Sequence, residues 1–395
     1  MFYLFPRQQA RDLGLGLVLL CAALALMLYP QQSMAAAREG LSLCGNVIIP
    51  SLFPFFVLSS LVVELGLAGY VGRLVEGIMR PVFRVGGVCA SALVLGLIGG
   101  YPVGAKTAIR LYEKGMCTRA EAQRLLAFCN NSGPAFILGV VGAGVFSDSR
   151  VGLLLYLTHV AASVCVGLLF RFYRPAAGGK GAPAPSPLSF QAQRFAPAFT
   201  GCVKNAFLST LNICAFVVFF TVVIRLLFLT GILPGIAKLL GLLFSPLGFT
   251  PQWGERLLTG VLEISSGVWS LSGEGISAGG LSMAAFILGW AGLSVHCQTL
   301  SFLDGSGLSV NTYLAGKLLH GFFSALFAAL LARLFPLGAP VWVCLAEQVD
   351  GLAGLDFHVS LTISTVCAWV TFLLCLLAAA AAARKGLGKG RRPVL

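Results

Sequence analysis

The chain has 395 residues, 57% of them hydrophobic and only 10% charged, against roughly 25% charged in an ordinary soluble domain. A mean hydropathy of +0.90 spreads the apolar surplus along the whole chain, which excludes a soluble domain carried on a single anchoring segment. The formal net charge of +13 would suit a nucleic-acid partner, but the basic residues fall between apolar stretches, so the charge is read as a topology signal and no nucleic acid is expected. Twelve cysteines are scattered singly and histidines number four, with no CxxC pair, so neither a metal site nor a disulfide framework is expected.

A bilayer core needs about 20 apolar residues per helix. The first such stretch, Leu13–Tyr29, follows Arg7 and Arg11. Ala35-Ala36-Ala37 resembles a signal-peptide cleavage site, yet the apolar run is long for that role and is read as a retained span. Spans follow at Leu41–Val63, Ala122–Phe146, Val151–Tyr173, Phe199–Phe228, Leu281–Leu303, Tyr313–Phe335 and Leu361–Ala383. Two shorter pieces, Val85–Thr107 and Glu255–Gly273, are interrupted by Gly, Pro or Ser and read as re-entrant hairpins or broken helices. Such segments survive at membrane depth only against protein or a water-filled cavity.

The expected fold is an all-α polytopic membrane protein of about eight transmembrane helices plus two re-entrant hairpins in two inverted repeats. Residues 1–40 hold the first helix, 41–173 the first repeat, 174–198 a cytoplasmic linker, 199–335 the second repeat, and 336–395 a last helix with a basic tail. Placing both termini in the cytoplasm puts twenty Lys and Arg inside, from Arg7 to Arg392, and leaves Arg38, Arg150, Lys238 and Arg256 outside. That bias satisfies the positive-inside rule. The repeat is read from the order of features. Each half has an Asn-containing, Phe-rich span (from Asn46 and from Asn212), then a Pro connector (Pro81, Pro246), a Gly-centred hairpin, and a span with a polar break.

The breaks carry the chemistry. Asn130-Asn131-Ser132-Gly133-Pro134 interrupts one span, and a helix starting after it inside the membrane offers free N–H groups and a positive dipole end to an anion. The Gly99–Thr107 turn, with Tyr101 and Lys106, offers a second such end and a cation. In the second half Glu263, Ser265 and Ser266, and then Ser294, His296 and Gln298, stand at the corresponding places. Ionisable groups facing lipid cost about 2.5–3.5 kcal/mol, so all of these are expected to face a cavity and bind a small anionic substrate. Glu263 and His296 are candidates for proton coupling. Plainer readings stand beside these. The Asn-Asn-Ser run and Tyr101 serve packing, His296 is a satisfied core histidine, and Glu263 pairs with Arg256 or Lys317. His159, His320 and His358 are read as packing residues. Gly99–Gly104 with Lys106 imitates a phosphate-binding loop, but the Lys does not follow the second Gly directly. No catalytic set is found, so no enzyme activity and no cofactor are expected.

The stretches 99–146 and 289–302, with the motifs GYPVGAK, FCNNSGP and GLSVHCQ, resemble the sporulation integral membrane protein family known as YlbJ or SpoVV, within the wider nucleoside-recognition (Gate domain) group. The resemblance runs through most of the chain. It implies a role in making the endospore, in the outer forespore membrane, where the family is linked to moving dipicolinic acid toward the forespore. A nucleoside or nucleobase transporter and a non-transporting sporulation scaffold remain the alternatives, and the oligomeric state is left open.

Overall fold

The computed structural model describes residues 7–65, 76–173, 195–273 and 275–334, which all lie in one compact unit. The expected last span, the basic tail and most of the 174–198 linker lie outside these residues. All regular structure described is helical, and five helices are long and apolar enough to cross a membrane.

The first helix, α1 (Arg7–Leu28), buries none of its apolar window against the rest of the described chain, and leucines all around it are exposed. Hydrocarbon is the surrounding that suits such a surface. After it, α2 (Pro30–Leu43) passes through a π-helical turn at Cys44–Ile48 into α3 (Ile49–Glu64), so the span expected from Leu41 begins a dozen residues earlier as helix.

The hairpin expected at Val85–Thr107 is α4 (Ala90–Gly99) and α5 (Val103–Glu113), joined by Gly100-Tyr101-Pro102. Gly100 has φ +73°, the left-handed region that a side chain resists. The expected span Ala122–Phe146 is two helices, α6 (Arg119–Phe128) and the π-helical α7 (Ala135–Val145), separated by the Asn-Asn-Ser-Gly segment. A reciprocal cap starts α6: Thr118 Oγ1 accepts the Glu121 N–H, and the Glu121 carboxylate accepts the Thr118 N–H. The long α8 (Ser149–Phe170) follows, and α9 (Phe195–Leu229) spans 35 residues.

The second half opens with α10 (Ile232–Leu243), an apolar helix that the span pattern missed because 12 residues fall below spanning length. The second hairpin is α11 (Pro251–Leu262) and α12 (Ile264–Trp269), broken at the extended residue Glu263. The expected span Leu281–Leu303 divides into α13 (Ala278–Trp290) and α14 (Gly292–Leu303). Its break falls at Ala291 and Gly292, both at positive φ, and not across 292–298 as the polar residues suggested. Last comes α15 (Val310–Leu334). The order hairpin, broken helix, long helix therefore occurs twice among the described residues.

Glycines bring these pieces together. In each hairpin two glycines flank the break and approach each other across it, Gly96 with Gly104 and Gly260 with Gly267. Within the second half, a β-carbon on Gly289 of α13 would lie 2.6 Å from the Gly321 Cα and 2.8 Å from the His320 carbonyl oxygen of α15. These are backbone atoms that cannot step aside, and small-residue contacts of this kind replace the hydrophobic drive that lipid removes. We predict that Gly289→Ala destabilises the purified protein by about 1–3 kcal/mol, as overpacking does. A lowered thermal unfolding midpoint in detergent would report it. Gly14→Ala, with nothing within 4 Å of the added carbon, should leave the midpoint unchanged.

Candidate functional site

The two hairpin breaks, the break after α6 and the N-terminal half of α14 line one cleft with a cavity volume of about 60 Å³. Gly100 packs against Gly133, a β-carbon there lying 2.9 Å from the Gly133 nitrogen, so the tip of the first hairpin touches the break after α6. Gly292 packs in the same way on Glu263 and Ile264 of the second hairpin. Tyr101, Ser132, Gly133, Glu263, Ser265, Ser294 and Gln298 line the cleft, with apolar walls from α3, α7 and α9 such as Leu52, Phe136 and Val217. An apolar cleft with a few convergent polar groups is the usual form of a small-molecule site.

The remaining expected residues stand elsewhere. Lys106 is exposed on α5, its ammonium 5.3 Å from the centre of the Phe302 ring, and does not line the cleft. The hairpin turns its side chain away because Lys106 sits on the face opposite the buried Gly104, Ala105 and Ala108. Ser266 lines a second cavity, with Trp269 and Arg256, on the other side of α12. Asn130, Asn131 and His296 are buried behind the cleft wall.

Glu263 changes the electrostatics expected of the site. Its carboxylate accepts the N–H groups of Ser265 at 2.9 Å and Ser266 at 2.6 Å, capping α12. The positive end of that short helix is therefore already met by a carboxylate of the chain itself. Lys317, one of the partners considered for Glu263, is engaged elsewhere.

Behind the first break lies a buried polar network that centres on Lys317, a residue that lies within α15 and is 1% exposed. Its ammonium donates to the Tyr101 hydroxyl (2.9 Å), to the Asn130 carbonyl (2.9 Å) and to His320 Nδ1 (3.1 Å). Three N–H bonds meet three acceptors, which is the full capacity of the group. Hydrogen-bond polarity fixes the histidines. His320 Nε2 lies 3.0 Å from the His159 carbonyl, which only accepts, so Nε2 carries the proton and Nδ1 is free to accept from Lys317. His159 Nε2 accepts the Ser132 N–H at 3.0 Å, so its neutral ring carries the proton on Nδ1. That Nδ1, the Asn131 Oδ1 and the His296 Nε2 are buried without a hydrogen-bond partner among the described residues.

The network also satisfies the broken backbone. Asn130 donates to Thr299 and Tyr313, Tyr313 meets His296 Nδ1 at 3.0 Å, and Asn131 and Ser163 both donate to the Phe128 carbonyl. Sequence reasoning considered Lys317 only as a partner for Glu263 and read His159 and His320 as packing. A signal was present: Tyr313, Lys317 and His320 fall at helical spacing on one face of an otherwise apolar helix.

This geometry defines a multi-pass, all-α membrane protein whose central cleft is walled by broken helices. The chain belongs to the family of the sporulation integral membrane protein YlbJ of Bacillus subtilis (strain 168), to which it is 34% identical over 324 residues, covering 77% of this chain and 78% of that protein. A family model described as Gate, nucleoside recognition, matches residues 47–175, a stretch that contains Tyr101 and the break before Pro134. Among solved structures the chain is similar to that of CNTnw in an inward-facing substrate-bound state, with a TM-score of 0.47, 16% identity, and coverage of 82% of this chain and 85% of that one.

The Glu263 cap makes a measurable contribution. Glu263→Ala removes two charge-assisted bonds and is expected to cost about 1–3 kcal/mol of unfolding free energy. Glu263→Gln keeps one acceptor oxygen and should cost less, and chemical denaturation in detergent would rank the two.

Proposed function

We propose that the protein is a transporter of a small organic anion, dipicolinic acid being the first candidate, across the outer forespore membrane. What carries the proposal is that three breaks line one cleft and the fourth, at Ala291-Gly292, packs directly on the second hairpin's break, since non-helical backbone at membrane depth is tolerated where it surrounds a cavity. Transporters of many folds place substrate at such half-helix junctions between internal repeats. The twofold recurrence of hairpin, broken helix and long helix supports reading the halves as inverted repeats, and alternating access as rocking of one half against the other. Both termini are placed in the cytoplasm on the bias of Lys and Arg. Membership of a sporulation membrane protein family supports the forespore setting, and the link to dipicolinic acid rests on the family resemblance alone.

Within the cleft, the start of α7 at Ser132-Gly133-Pro134 and the hydroxyl and amide groups of Ser294 and Gln298 are the donors offered to a carboxylate. Glu263 favours a second reading. A carboxylate in the lining prefers a neutral ligand rich in hydroxyl donors, and the Gate match supports a nucleoside as that ligand. The two readings separate in one assay. In proteoliposomes carrying the purified protein, dipicolinate uptake should saturate, be unchanged by excess nucleoside, and fall about 10- to 100-fold in Gln298→Leu, the loss expected when a hydrogen bond to a charged group is removed. Competition by nucleosides but not by dipicolinate would move the assignment to the second reading. Absence of uptake for both would leave the scaffold role.

A further inference from the structure

Lys317 is an ammonium buried within a membrane helix, and among the described residues no carboxylate is its partner. Its three hydrogen bonds go to a phenol, a peptide carbonyl and an imidazole nitrogen. The groups facing it can be enumerated by element. Tyr101 comes from the first hairpin, Cys129 from the break after α6, His159 from α8, His296 from α14, and Tyr313 and His320 from α15 itself. Two further helices pack along α15: α13, which carries no titratable side chain, and α6, whose Arg119 and Glu121 lie in its first turn and whose Arg124 donates to the Arg84 carbonyl. None of the groups facing Lys317 among the described residues is a carboxylate, so hydrogen bonds and the Tyr101 ring, whose centre lies 4.8 Å from the ammonium, hold the charge in place.

The bond to His320 has a further property. Its Nδ1 is a lone-pair acceptor, 3.1 Å from the ammonium, and its ring stands 4.2 Å from that of His159. The Lys317–His320 pair therefore holds a single excess proton that either nitrogen can carry: an ammonium facing a neutral imidazole, or an amine facing an imidazolium. On another side the same ammonium touches the hydroxyl of Tyr101, and Tyr101 lines the cleft. The Tyr101 side chain, its hydroxyl donating to the Leu288 carbonyl at 2.8 Å, thus stands between the shared proton and the cavity. The contacts that Lys317 makes are also those that hold the hairpin tip to the broken span, through Tyr101 and Asn130 respectively.

We infer that the Lys317–His320 pair is the proton-coupling site of the carrier: loaded with one proton it fixes the hairpin tip on the α6–α7 break, and emptied of it, it releases them. The step is a plain proton transfer. When the hairpin tip lifts from the break, an N–H bond of Lys317 breaks, water admitted from the cleft takes the proton as hydronium, and a neutral amine remains. Coupling follows because the loaded pair adds a positive charge beside a cleft that receives an anion, so that proton and substrate bind with mutual preference. This assignment rests on the transport reading above. It differs from the Glu263 and His296 candidates in resting on a proton shared between two partners, whereas both Glu263 oxygens are engaged in capping α12.

Two transport modes of the full-length protein in proteoliposomes test it, with dipicolinate as the probe. Counterflow of labelled against unlabelled dipicolinate needs no net proton movement, whereas uptake driven by an imposed pH gradient does. The wild type should show both, the gradient raising initial uptake several-fold. In Lys317→Gln, which has no exchangeable charge, and Lys317→Arg, which holds its proton permanently, the ratio of gradient-driven uptake to counterflow should lose its dependence on the gradient, whatever counterflow each retains. Lys317→Arg separates coupling from mere placement of a positive charge, since a structural role for the charge would leave its gradient response intact. Where Lys317→Gln does not yield folded protein, Lys317→Arg and His320→Asn carry the same comparison. Counterflow in the wild type with no response to the gradient would overturn the coupling site and leave the transport reading standing. A full gradient response in Lys317→Arg would overturn it equally. Loss of counterflow in the wild type, for dipicolinate and nucleosides alike, would overturn the transport reading and the coupling site with it.

Discussion

A helix interrupted inside a bilayer exposes peptide N–H and C=O groups that water cannot reach, each worth several kcal/mol if left unmet. The arrangement of this protein follows from how one such interruption, between Phe128 and Ala135, is satisfied. The Ser132 N–H is taken by His159, the Asn130 carbonyl by Lys317, and the Phe128 carbonyl by Asn131 and Ser163. These partners come from α8 and α15, so the break fixes where both long helices must stand. With those helices placed, the glycine contacts Gly289–Gly321 and Gly316–Ala127 become possible, and the hairpins close on the cleft between them.

The same constraint explains why the buried charge is tolerated. An ammonium placed in hydrocarbon is costly, and the effective penalty in proteins is still several kcal/mol. Lys317 offsets it with three hydrogen bonds, two of which also satisfy the Asn130 carbonyl and the His320 Nδ1. Removing the lysine would therefore open a backbone carbonyl as well as delete a charge. The polar network sits where two apolar clusters meet, Tyr101 belonging to one and Tyr313 to the other.

Much of the fold was legible in the sequence because its signals are compositional. Apolar runs located α1, α8, α9 and α15 to within a few residues, and Gly-Pro interruptions located both hairpins. The Asn-Asn-Ser-Gly-Pro run marked its break correctly because Pro134 can begin a helix but not continue one. The second span break was misplaced. Polar residues at 294–298 suggested it, yet they are accommodated on helical turns of α14, and the actual break lies in Ala291-Gly292, where backbone dihedrals and not side-chain polarity decide. Of the expected site residues, Tyr101, Ser132, Gly133, Glu263, Ser265, Ser294 and Gln298 share the cleft, while Lys106 points away from it. A single chain does not reveal that Lys317 meets residues 187 and 216 positions earlier, because that pairing is a product of tertiary packing.

That long separation bears on how the protein is made. α1 is apolar on every side and can enter a bilayer as soon as it is synthesised, without waiting for a neighbour. The break after α6 has no such independence. His159 arrives soon after it in the same half, but the carbonyl of Asn130 stays without its lysine until α15 has been translated. A nascent first half thus sits in the membrane with an open peptide group at its centre, and only the last described helix seals it. Completion of the cleft is in this way tied to the synthesis of α15.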